Sequence, residues 1–252
     1  MKGIWLLTLS LTPLLFACSG PVAACTTPIC PVAHWPLNEA SGATTVQDLV
    51  TNPIFNTGTP KPGPVAAWPG FSGPSAVSGQ SGGAFYFPGN GATWVEVPST
   101  PDLNLSYGSL YLEAYVAPVR CGVGAYYPVL DKWDPAGANG YTLYLEGVGP
   151  GQVRVAFRLG GGTFTSTPFS ASFQPPSTGT WTQVAVKVDG TSGAFYVNGN
   201  LAGTFSAPSG STTNTLPLWI GALHSAPTGL SHCEIALDEL KVGKVNPIFS
   251  GQ

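Results

Sequence analysis

The sequence predicts an all-β protein built as two stacked antiparallel sheets, and three observations carry that expectation. Short segments of alternating apolar and polar residues recur along the chain with turn residues between them. No long stretch holds the 3.6-residue period of an amphipathic helix. The 33 glycines and 25 prolines follow no strict period, which excludes a collagen and supplies the turns that many short strands need. A hydrophobic content of 43% of the chain, with aromatic residues at 11% of the chain, provides a core and argues against disorder despite the low charge. At 252 residues the chain fits one sandwich domain, a fold that reaches ~200 to 250 residues as a single unit.

The N-terminus reads as an export signal over residues 1–17, with Lys2 ahead of an apolar run from Ile4 to Ala17. That run is shorter than the ~20 residues of a membrane-spanning helix. Leu15-Phe16-Ala17-Cys18 resembles the lipobox of bacterial lipoproteins, with the bulky Phe16 where a small residue is usual. The resemblance implies lipidation of Cys18 and a membrane anchor, and Ser19 resembles the outer-membrane sorting pattern. Cleavage after Ala24, giving a secreted chain, is the alternative. Residues 18–31 then form a Pro-containing tether, and the domain occupies 32–248.

Besides Cys18 the cysteines are Cys25, Cys30, Cys121 and Cys233, an even set suited to an oxidising compartment. Three connectivities are open. Close spacing favours a Cys25–Cys30 loop, leaving Cys121 with Cys233 to staple distant strands.

Strands are expected at 34–37, 84–87, 94–97, 110–116, 141–145, 153–159, 181–188, 218–221 and 235–242. In 153–159, Val153, Val155, Phe157 and Leu159 share one face while Arg154 and Arg158 share the other. Val184, Val186 and Val188 point inward in the same manner, whereas 110–116 carries apolar groups on both faces and reads as covered on both sides. Asn198-Gly199 tolerates the positive φ angles of a tight turn and sets a hairpin across 195–201.

In this order the motifs resemble the concanavalin A-like, laminin G-like jelly-roll family across 32–247. They run from His34-Trp35-Pro36-Leu37 with Gly42 and Asp48, through Gly83-Ala84-Phe85-Tyr86-Phe87 and Trp94-Val95-Glu96-Val97, to Val129-Leu130-Asp131-Lys132 and Gly140-Tyr141. Trp181-Thr182-Gln183-Val184, Tyr196-Val197-Asn198-Gly199, Leu218-Trp219-Ile220-Gly221 and 235–240 complete the series. Tyr115 stands where the family usually has tryptophan, which keeps the packing with less buried area. The resemblance implies an all-β, two-sheet antiparallel jelly-roll sandwich. It also implies a structural calcium ion on Asp238 with the 38–42 turn; the alternative is that Asp238 accepts hydrogen bonds from that turn.

Catalysis finds little support. A glycosidase needs two opposed carboxylates, and no strand alternates acids on one face. Glu234, Asp238 and Glu239 come closest and read as a solvated edge or a metal ligand, with Glu239 on the opposite face. For nucleophilic catalysis, His34, His224 and His232 have no evident acid partner. Gly160-Gly161-Gly162 reads as a turn between strands, not a phosphate loop. With 9 basic and 12 acidic residues, net charge −3 and no charge run, nucleic acid is excluded as a partner.

Binding remains. Tyr126, Tyr127 and Trp133 beside Asp131 and Asp134 offer aromatic planes next to acceptors, as a carbohydrate platform requires. The alternative is that these aromatics cover the sandwich edge. The functional expectation is a non-enzymatic, surface-anchored protein binding a polysaccharide or a protein partner. A structural subunit of an extracellular layer and a polysaccharide hydrolase or lyase are the alternatives.

Overall fold

The computed structural model of the chain describes residue 25 and residues 27–50, 54–66, 73–89, 91–105, 108–120, 122–170, 181–207, 211–225 and 232–246. The export signal, Cys18, Ala24 and Cys121 lie outside the described residues. Among those described there are strands and no helix. In chain order they are β1 (Ile29–Trp35), β2 (Thr59–Lys61), β3 (Ser75–Ser81), β4 (Gly83–Phe87), β5 (Trp94–Val97), β6 (Ser109–Arg120), β7 (Tyr126–Asp131) and β8 (Tyr141–Gly149). They continue as β9 (Gln152–Leu159), β10 (Gly162–Thr165), β11 (Phe169–Ser170), β12 (Thr182–Asp189), β13 (Ser192–Val197), β14 (Asn200–Ser206), β15 (Leu218–Ile220) and β16 (Glu234–Val245).

The strands form two sheets in which every pairing is antiparallel. The first runs β14-β13-β12-β6-β16-β4-β3, with β1 also on β16; the second runs β10-β9-β8-β7-β15-β5-β2, with β11 also on β9. This is the expected two-sheet sandwich. One core joins the inner faces: Leu110, Leu112, Val184, Val186 and Leu237 from the first sheet pack with Tyr127, Leu143, Val155, Phe157 and Ile220 from the second. Each such side chain contributes about 1.5 to 3 kcal/mol through removal from water. Two of the largest buried side chains have their polar tips satisfied: Trp35 Nε1 donates to Asn56 O at 2.6 Å and Tyr141 Oη to Leu103 O at 2.9 Å.

Strong alternation placed strands well. In β9 the four apolar residues are buried and both arginines lie half-exposed on the other face. At the β13–β14 hairpin Asn198 and Gly199 take φ of 49° and 75°, the left-handed pair a two-residue turn requires. Weak or absent alternation hid others: β2 and β10 are too short for a period, and β3 is a small, polar strand held by its pairing with β4.

Three expectations are corrected. The ordered domain begins before Val32, because Ile29, Cys30 and Pro31 already pair with Val245, Lys244 and Gly243; the Cys25–Cys30 disulfide closes the loop leading into that strand. Strand β6 is not covered on both sides: Tyr111 and Tyr115 remain half-buried, with Glu113 between them bonded to Lys241 Nζ at 2.9 Å. Strand β16 is no edge but lies between β6 and β4. It hands over from β4 to β1 at a bulge where Glu239 has φ of 51°, and this breaks the alternation from which its facing was read. Cys233 is disulfide-bonded; its expected partner Cys121 is not among the described residues.

Candidate functional site

Cross-strand register assembles a polar and aromatic surface on the outer face of the second sheet. Thr142 of β8 sits opposite Asp131 of β7 and opposite Arg158 of β9. Directly opposed residues project to the same side, so Asp131, Thr142 and Arg158 form one row. In the next rows Tyr144 faces Pro128 and Ala156, and Glu146 faces Tyr126 and Arg154. On the other side of β7, Asp131 faces Trp219 of β15, which faces Glu96 of β5.

A cavity of about 260 Å³ opens on this face, lined by Tyr126, Trp133, Thr142, Tyr144, Arg158 and Ser225 among others. Tyr126 and Tyr144 meet edge to face with centroids 5.3 Å apart. Trp133 is fixed by its Nε1, which donates to Gly160 O at 2.7 Å, and the Arg158 guanidinium lies 4.2 Å above the Trp133 ring centroid. Arg158 Nε donates to Thr163 Oγ1 at 3.4 Å. Burial raises the Tyr144 hydroxyl pKa, with Arg158 acting against that rise. Beyond Asp131 the same face carries a second aromatic group, with Trp94 and Trp219 centroids 5.2 Å apart and Trp219 stacked on His224 at 3.9 Å.

Of the five residues expected as ligands, Tyr126 and Trp133 line the cavity and three do other work. Tyr127 alternates inward and is fully buried in the core. Asp131 is also fully buried: one oxygen accepts from Trp133 N at 3.0 Å, the other from the His224 main-chain N and Nδ1, the latter at 3.0 Å. Its role is to hold two loops. Asp134 closes a turn by accepting from Ala136 N at 2.9 Å. Sequence reading missed Tyr144, Arg158, Thr142 and Ser225. Alternation along β8 and β9 marks the first three as outward, but only pairing brings them together.

The histidines are also corrected, since two have acid partners. His224 bonds Asp131, and His34 Nε2 lies 2.6 Å from Glu239 Oε2. His232 has its pKa lowered by burial, with Asp131 acting against the shift. A larger open groove, about 670 Å³, lies on the first sheet and is lined by Lys187, Asp189, Tyr196 and Phe205 among others. Its carboxylate, Asp189, is 3.4 Å from Lys187 Nζ. Neither space is lined by two carboxylates among the described residues.

Asp238 is fully buried and accepts from Ser81 N at 2.9 Å through Oδ2, while Oδ1 is buried without a hydrogen-bond partner. Burial raises its pKa. The turn against it is therefore the one between β3 and β4, not 38–42; Asn38 Oδ1 instead accepts from Gly83 N on that same turn. An orphaned, buried carboxylate oxygen fits a hard cation such as calcium. No group of three His, Cys, Asp or Glu side chains among the described residues adds to it, so the remaining ligands would be main-chain oxygens and water.

Comparison with solved structures finds the same fold at low identity. The binding domain of Paraclostridial Mosquitocidal Protein 1 matches with a TM-score of 0.58 and 14% identity over 88% of this chain and 50% of that one. A botulinum neurotoxin type C structure, described as entering cells through interaction with two ganglioside molecules, matches at 0.54 and 11% over 88% and 49%. The chain thus spans about half the length of these two. Domain 4 of AbnA, a GH43 extracellular arabinanase from Geobacillus stearothermophilus in complex with arabinotriose, matches at 0.52 and 17% over 88% and 97%. No curated protein matches the sequence. A family model covers residues 88–244, more than half of the chain and all of the cavity's strands, and by that match the protein belongs to the concanavalin A-like lectin/glucanases superfamily.

Proposed function

We propose that this protein is a non-catalytic carbohydrate-binding module, exported and held on the bacterial surface through a lipid on Cys18. The observation that carries the binding role is the cavity itself, in which Tyr126, Tyr144 and Trp133 surround the polar groups of Thr142, Ser225 and Arg158. Ring faces cover the C–H faces of a sugar while a few fixed polar groups set its orientation. Trp133 is held in place by Gly160 and Arg158, which limits the ordering cost on binding. The ganglioside and arabinotriose contacts of the structural neighbours support a sugar ligand. The lipobox-like Leu15-Phe16-Ala17-Cys18 supports the anchor.

One experiment tests both halves. Cells bearing the full chain are applied to a glycan array; Trp133→Ala lowers capture about ten-fold, the equivalent of about 1.4 kcal/mol, at an unchanged surface level. Cys18→Ser abolishes capture by releasing the chain into the medium. Equal retention of wild type and Trp133→Ala overturns the site, and cell-bound Cys18→Ser protein overturns the anchor.

A calcium ion held by Asp238 belongs to the same reading, and when bound it neutralises the buried carboxylate. At a calcium concentration about 100-fold above Kd the folded state gains about 2.7 kcal/mol. The melting temperature is therefore expected to rise by several degrees between chelator and calcium; identical values remove the ion from the proposal.

A further inference from the structure

We propose that the cavity on the second sheet selects acidic glycans, with Arg158 as the receptor for a sugar carboxylate; this rests on the carbohydrate-binding reading above. Strand β9 turns two arginines to the outer face, and their cross-strand neighbours differ. Opposite Arg154, β8 supplies Glu146, whose Oε2 accepts from Arg154 Nε at 3.1 Å and Nη2 at 3.0 Å. Opposite Arg158, β8 supplies Thr142 and β10 supplies Thr163, both hydroxyls. Arg158 forms no ion pair among the described residues, although it lines the cavity.

The acids nearest in register or sequence have other partners. Asp131 is two strands away in the same row, roughly 10 Å at ~4.8 Å per strand, and is held by His224 and Trp133. Asp134 accepts from Ala136 N, and Glu146 belongs to Arg154. Arg158 instead meets neutral hydroxyls: its Nε donates to Thr163 Oγ1 at 3.4 Å, and it hydrogen-bonds Tyr144. A guanidinium has more N–H groups than these hydroxyls engage, so it can still grip a carboxylate through two parallel bonds, the geometry that guanidinium favours. Stacking on Trp133 fixes the plane of the fork. Tyr126, Tyr144 and Trp133 would then hold the sugar ring that bears the acid.

Carboxylates occur on sialic acids and on uronic acids, and two matched pairs of probes separate them. The full chain is titrated calorimetrically with 3′-sialyllactose against lactose, and with tetragalacturonate against its methyl ester. We expect the acidic member of one pair to bind at least about ten-fold more tightly than its neutral counterpart, with a gap that shrinks as salt rises. Arg158→Gln removes the gap, and Arg158→Lys keeps part of it. Neutral sugars binding as tightly as acidic ones in the wild-type protein overturn acid selection and leave the carbohydrate module standing; this arm needs no variant and so does not depend on folding. A gap that survives in Arg158→Gln overturns Arg158 as the receptor. Absence of binding to all four probes, with none captured on the array, overturns both readings.

Discussion

Replacing Lys132 by alanine is expected to cost about 4 kcal/mol of folding free energy, the sum of a cavity and several orphaned acceptors. Lys132 follows β7 and is fully buried, and it forms no ion pair among the described residues. Its Nζ instead donates among four oxygens: Ser99 Oγ at 3.1 Å, Asn214 O at 3.1 Å, Asn214 Oδ1 at 3.0 Å and Leu216 O at 2.9 Å. One side chain thus ties the end of β7 to residues 99 and 214–216. Gly140 closes over the site so tightly that a Cβ there would meet Lys132 O at 2.0 Å. Lys132→Met, which keeps the stem, should cost about 2 kcal/mol because only the hydrogen bonds are lost. Urea unfolding measures both, and a loss below about 1 kcal/mol in the alanine variant rejects the tie.

The same burial makes a pH signature. It pushes the Lys132 ammonium down to about 8, against 10.5 in the unfolded chain. Between those values the unfolded chain holds a proton that the folded protein has released, so stability contributed by this group rises with pH across that window. The slope approaches about 1.4 kcal/mol per pH unit and is absent in Lys132→Met. The neutral amine still donates two protons, which keeps part of the network in place.

Asp131→Ala is the second large effect, with an expected loss of about 3 to 5 kcal/mol, because each buried donor left without its acceptor costs about 1 to 3 kcal/mol. Three donors would lose their acceptor together: Trp133 N, His224 N and His224 Nδ1. Trp133 and the 222–225 segment both border the cavity, so the variant should also lose sugar binding. Unfolding free energy and calorimetric titration on the same preparation check the coupling. A stable variant with wild-type affinity would show that Asp131 positions neither loop.

These two residues show how motif and role separate. Asp131 and Lys132 stand in the Val129-Leu130-Asp131-Lys132 motif, and the sequence marks that stretch as special. It does not mark them as buried, because a charged residue inside a sandwich is recognisable only through partners from distant segments, such as His224 and Asn214. The aromatics nearby split by alternation, Tyr126 outward and Tyr127 inward. Which of the two faces solvent depends on the strand's orientation in its sheet, and the bulge between Pro128 and Leu130 shifts the count again.

By itself the sequence determined the fold class. Period-two alternation at 153–159 and 182–188 and the Asn198-Gly199 turn act over a few residues, and the observed strands and hairpin follow them. The tertiary structure alone decided that Thr142 rather than an acid stands opposite Arg158, that Glu239 sits in a bulge, and that β16 lies inside its sheet. Local geometry is set by neighbours along the chain, whereas register and burial are set by segments far apart in it. A binding surface spread over β7, β8 and β9 therefore exists only once those strands have paired.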